Sequence, residues 1–190
     1  MSQKSAKVTL STTVDLSPFI DMLSARANAL VDDAKDARPI DDAARAEVGA
    51  ALDALVKNAD DALARGIRYA LPDGVSLVRA KAARDGLTMT SVTELALDDA
   101  ALLPRIVLGE GDGAPRPFAG FVVDESGEGW SLSGEAPVPP AGGGAGALVL
   151  TVDAARAPKT HNATRVDGTA LVWELAPGAK DTRVQATFAR

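Results

Sequence analysis

The 190-residue sequence contains no cysteine, which removes thiol catalysis, disulfide bridges and thiolate zinc sites together. It has one histidine, His161, so a Ser-His-Asp triad or a multi-histidine metal site must run through that residue or be absent. Aromatics make up 4% of the chain: Phe19, Tyr69, Phe118, Phe121, Trp130, Trp173 and Phe188 are too few and too dispersed for a base-stacking platform. The 20 Lys and Arg residues stand against 26 acidic ones and occur singly, so the chain lacks the basic stripe of a nucleic-acid binder. No apolar run approaches the roughly 18 to 20 residues that span a bilayer, and no basic-then-apolar signal opens the chain.

Catalytic strings are missing as well. Gly-x-Ser-x-Gly, Ser-x-x-Lys and His-Glu-x-x-His do not occur. The Gly-rich run Gly142 to Gly146 is preceded by prolines, followed by a strand and closed by no lysine, which reads as a linker and not as a phosphate loop. Glu110 and Asp112 in a Gly-rich turn suit a hard cation, but two carboxylates with no bidentate Glu downstream are too few to hold calcium. The pairs Asp32-Asp33, Asp41-Asp42, Asp60-Asp61 and Asp98-Asp99 are adjacent in sequence, hence about 100° apart on a helix, and make poor acid/base dyads. Asp41-Asp42 and Asp98-Asp99 read better as residues that complement a helix N-terminus. His161 reads as a solvated turn residue. The expectation is no metal, no cofactor and no enzyme; a carboxylate-only enzyme would need two such groups about 5 to 10 Å apart in a pocket.

What is present is alternation. A chain of this length fits a single domain, 1–190, that buries roughly 70% of its unfolded surface. Residues 7–16 alternate apolar and polar, the mark of a half-buried strand. Ser17-Pro18 then supplies an N-cap and a proline in the first turn. Phe19, Leu23, Ala27, Leu30 and Val31 share one face of the helix that follows, and Pro39 ends it. A second helix carries Val48, Leu52, Leu55, Val56, Ala59 and Leu63 and stops at Gly66, so 17–66 is predicted as a helical hairpin.

From 67 to 136 the period changes to two. Pro72-Asp73-Gly74 and Arg84-Asp85-Gly86 are turns around strands at Val75 to Ala83 and Leu87 to Leu97, Asp98 to Leu103 is a short helical turn, and strands at Phe118 to Asp124 and Trp130 to Ala136 make a second hairpin. A Gly/Pro linker, flexible by composition, occupies 137–146, and closing strands occupy 147–190. The predicted fold is α+β, a helical hairpin packed on one face of a mostly antiparallel sheet. Trp173, among alternating Leu171 and Leu175, is predicted as core beneath the helices, whereas Trp130 at a hairpin mouth is the better exposed contact. Asn162-Ala163-Thr164 matches a glycosylation sequon, a chance match in a bacterial chain. Arg in excess of Lys and abundant Ala point to a high-GC bacterial source.

Four segments in order carry a resemblance: the Lys7 to Leu16 strand before a helical region, Leu71-Pro72-Asp73-Gly74-Val75, Trp130-Ser131-Leu132-Ser133-Gly134, and Val166-Asp167-Gly168-Thr169-Ala170-Leu171-Val172-Trp173. Taken together the chain resembles the LppM-like bacterial lipoprotein domain. The resemblance implies a non-enzymatic, extracytoplasmic domain of the cell envelope, anchored to the membrane by a segment outside this sequence. No lipobox Cys and no C-terminal membrane segment are present, and Met1-Ser2-Gln3-Lys4 reads as an added start before a trimmed chain; were Met1 the native start, the expected compartment would be the cytoplasm. A lipid or other apolar small molecule is the expected ligand, held between helices and sheet, with Phe19, Met22, Leu23, Leu30 and Trp130 as candidate contacts. The alternative is an envelope protein docked on an exposed sheet edge, for which Ala145 to Val152 is the candidate strand.

Overall fold

The structure, a computed structural model, describes residues 5–18, 20–21, 48–54, 56–58, 60–61, 71–108, 113–126, 129–142, 144–154 and 156–189. Alternation becomes strand where it was read. β1 spans Ala6–Asp15, and Val75–Asp85 (β2) with Thr88–Leu97 (β3) forms the first hairpin. Val122–Ser126 (β4) and Gly129–Glu135 (β5) form the second. The closing region supplies Ala145–Asp153 (β6), Pro158–His161 (β7), Arg165–Asp167 (β8), Ala170–Leu175 (β9) and Arg183–Ala189 (β10). The short helical turn after β3 is a 3₁₀ turn, Ala100–Arg105, capped by Asp99, whose Oδ1 accepts the Ala101 N–H at 2.9 Å.

These strands make two antiparallel sheets, one of six strands in the order β2-β3-β1-β6-β9-β8 and one of four in the order β4-β5-β10-β7. This overturns the predicted single sheet beneath a helical hairpin. The layer that closes the core is the second sheet: Trp130 and Leu132 from β5 and Val184, Ala186 and Phe188 from β10 join one apolar cluster with Val8, Leu95, Leu150, Leu171 and Trp173 of the first. The physical reason is that alternation marks which face of a strand is apolar but not which sheet the strand enters. Among the described residues α-helix is confined to 17–18, 20–21, 48–54, 56–58 and 60–61, beside the sheets. The body of the first predicted helix lies outside the described residues.

After β5 the chain crosses repeatedly between the sheets, with β6 in the larger, β7 in the smaller, β8 and β9 in the larger and β10 in the smaller. The first crossing is the stretch predicted as a flexible linker. It is pinned at both ends, for Pro139 O accepts the Gly178 N–H at 2.9 Å and Gly144 O accepts the Asp15 N–H at 2.6 Å. Gly144 has φ +78°, and a Cβ there would lie 2.0 Å from the Asp15 carbonyl oxygen, so only glycine lets the chain pass so near β1.

Asn162 ties the sheets together. Its Oδ1 accepts both the Trp173 indole N–H (2.8 Å) and the Gln185 backbone N–H (2.8 Å), while its Nδ2 donates to Arg183 O (2.9 Å). The sequon asparagine thus has its amide committed to β9 and β10.

Candidate functional site

At the end of the larger sheet marked by the β2–β3 turn, the apolar filling changes. Past Leu10 the same face of β1 carries a polar pair, Thr12 and Ser91, joined hydroxyl to hydroxyl at 2.7 Å. Here the chain leaves β1 and starts a helical turn. Asp15, and not the predicted Ser17, supplies the capping oxygen: its Oδ1 accepts the Ser17 N–H at 2.9 Å and the Ser17 hydroxyl at 2.6 Å. Those two bonds hold the Asp15 carboxyl below its ordinary value of 3.8. Leu16, buried, donates its N–H to Leu87 O at 2.7 Å and so draws the turn against the hairpin.

The helical stretch 48–61 meets the same end of the sheet. Leu52 and Val56, four residues apart on one helix face, are buried. Asp60 Oδ1 accepts the Ala82 N–H at 2.7 Å and covers an otherwise open donor on the edge strand β2. One turn and more towards the N-terminus, Asp53 Oδ1 accepts Nε of Arg84 at 3.0 Å and also its Nη2, while Arg84 Nη1 donates to Gly86 O at 2.7 Å. Helix and strand are thus joined by two carboxylates whose partners sit two residues apart on β2.

Between them opens a cleft of 310 Å³ lined by Ile20, Val48, Gly49, Leu52 and Leu87, with Arg84 as the one charged group among its described lining residues. Its walls are apolar, yet it opens to solvent, and Leu87 at its rim is 43% exposed. Two further depressions, of 350 and 220 Å³, lie on the outer face of the smaller sheet and share Ser131 and Thr187. Ser133, Thr160, Gln185 and Thr187 make the first of these a hydroxyl- and amide-lined surface, the ordinary solvent side of an alternating strand. Of the three, the apolar cleft has the lining of a small-molecule site.

Phe19, Met22, Leu23 and Leu30 lie outside the described residues. Trp130, read as the exposed contact, is instead buried to 4% in the core, where its ring stacks on Phe188 with centroids 4.2 Å apart. Its side chain faces inwards because β5 presents Trp130 and Leu132 to the other sheet. Its Nε1–H finds no hydrogen-bond partner among the described residues. Trp173 is core, as expected, but beneath a sheet. His161 is the last residue of β7 and exposed, where a loop was predicted. Ala145 to Val152 is no edge, since β6 lies between β1 and β9; the edge strands are β2 and β8 in one sheet and β4 and β7 in the other. Glu110 and Asp112 lie outside the described residues, and among the described ones no three His, Asp or Glu side chains converge on a metal position.

The cleft residues were only partly foreseeable. Val48 and Leu52 belong to the predicted apolar face of the second helix. Ile20 had the signal of following Phe19 on a helix start. Leu87 and Arg84 carried none, because a turn leucine and a strand arginine are unremarkable until the helix is placed over them. No helix among the described residues is long and apolar enough to cross a membrane. Compared with known family models, curated proteins and solved structures, the chain matches none of them.

Proposed function

We propose that this chain is a non-catalytic binding domain of the bacterial cell envelope that holds an apolar ligand, a lipid chain, in the cleft between the helical stretch 48–61 and the β2–β3 turn. The observation that carries the reading is the cleft itself: 310 Å³, at the lower end of the range of small-molecule sites, and walled by Ile20, Val48, Leu52 and Leu87. The collinear resemblance to envelope lipoproteins supports the setting.

Gly49 offers a direct test. It lies on the helical stretch and lines the cleft, and a Cβ added there meets nothing within 4 Å. Leucine at this position fills the cleft while improving helix propensity. A fluorescent fatty-acid probe is expected to bind the wild-type protein and to lose most of its affinity in Gly49→Leu, with the circular dichroism spectrum retained. Equal binding by both proteins, or none by the wild type, overturns the proposal. Fractionation of cells expressing the full-length gene product tests the setting, which fails if the protein is recovered from the cytoplasm alone.

A second reading, docking of a partner strand, draws on β4. No strand pairs with its outer side among the described residues, and Val122 is 51% exposed. Recovery of one stoichiometric partner that is lost on Val122→Lys would favour it.

A further inference from the structure

We propose that the ligand of the cleft is a single-chain anionic amphiphile, whose carboxylate or phosphate headgroup takes the guanidinium of Arg84 from Asp53. The proposal rests on the reading of the cleft as a site for an apolar chain and adds the chemistry of the headgroup.

Arg84 stands where apolar lining gives way to solvent. Its side chain is 21% exposed, whereas that of Asp53 is 68% exposed, so the cation is the sheltered partner and the anion the replaceable one. Both bonds to Asp53 end on a single oxygen, Oδ1. A guanidinium fork is better met by two acceptor oxygens side by side, which a carboxylate or phosphate entering along the cleft brings and which Asp53 does not use here. The pair is open to water on the Asp53 side, so the exchange costs little, and the Asp60 bond to the Ala82 N–H still ties the helix to β2. The third contact, Nη1 to Gly86 O, does not involve Asp53 and keeps the guanidinium at the rim when Asp53 swings into water. A volume of 310 Å³ suits one acyl chain better than two. The net charge of −6 gives anions no long-range attraction, so selection rests on this local contact.

The test measures displacement of Nile red from the intact chain by dodecanoate, dodecyl phosphate and the neutral methyl dodecanoate, all below the concentrations at which they form micelles. The two anions are expected to displace the dye at roughly ten- to a hundredfold lower concentration than the ester, the fold-change typical of a hydrogen-bonded charge contact. The tighter anion identifies the headgroup. Arg84→Gln is expected to bring acid and ester together without weakening the ester. Asp53→Asn, which removes the competitor and leaves Arg84 in place, is expected to tighten the anions alone, and it carries the test if the Arg84 variant does not fold. Equal displacement by acid and ester in the wild type overturns the headgroup assignment while leaving the apolar cleft intact. No displacement by any of the three overturns both.

Discussion

The two ends of the six-stranded sheet are covered in different ways. One end lies against a second sheet, and its leucines, valines and Trp173 are shut into a core shared with Trp130 and Phe188. The other end is met by a helical stretch held through Asp53 and Asp60, and there Leu87 is 43% exposed and the cleft opens. Sheet against sheet brings two apolar faces together over a broad area. A helix laid across a sheet end touches it along one line, and the space beside that line can receive a ligand. Stability should therefore concentrate at the first end and binding at the second.

The largest test of that division is Trp173→Ala. Trp173 is 2% exposed, so a loss of about 3–5 kcal/mol is expected in denaturant unfolding, against no more than about 0.5 kcal/mol for Leu87→Ala at the rim. Comparable losses at the two positions would erase the distinction. Next comes Asn162→Ala, which leaves the Trp173 indole N–H and the Gln185 N–H without their acceptor and should cost about 1–3 kcal/mol. A smaller, opposite effect is expected from Gly49→Ala at the cleft, a gain of about 0.5–1 kcal/mol from helix propensity, read as a raised urea midpoint; a loss would mean that the helix needs its glycine for packing.

The smallest effect is on pH dependence. The Arg183 side chain and backbone hydrogen-bond Asp181 and lower its carboxyl from 3.8 to about 2, and Ser17 lowers Asp15 in the same direction. A carboxyl depressed on folding stabilises the native state above its unfolded value and loses that contribution as pH falls through the folded one. Urea midpoints should thus be flat through neutral pH and fall below about pH 4, and the double variant Asp15→Asn with Asp181→Asn should flatten that fall. Both carboxylates are exposed, so the effect is small.

Much of the local structure was legible. Period-two alternation located β1, both hairpins and the Trp-bearing β9, and the Asp85-Gly86 dipeptide located the β2–β3 turn. The site was legible only in half, as the apolar face carrying Val48 and Leu52. Trp130 turns inward, His161 ends a strand and Ala145 to Val152 lies inside a sheet, against what their local sequence suggests, because each position depends on which strand lies next to it, and neighbours in these sheets are far apart in sequence: β1 pairs with β6, and β10 with β5 and β7.

The order of residues alone thus decided where β1, the two hairpins and β9 lie, since side-chain alternation and turn glycines act within a few residues, and it set the charge, the lack of thiols and the lack of long apolar runs. Tertiary structure alone decided that the apolar faces close as sheet on sheet, that Asn162 bridges them, and that Arg84, Leu87 and Leu52 meet around one cleft. Those outcomes depend on long-range pairing, whose register and partners are selected by packing over the whole chain and leave no mark in any short stretch of it.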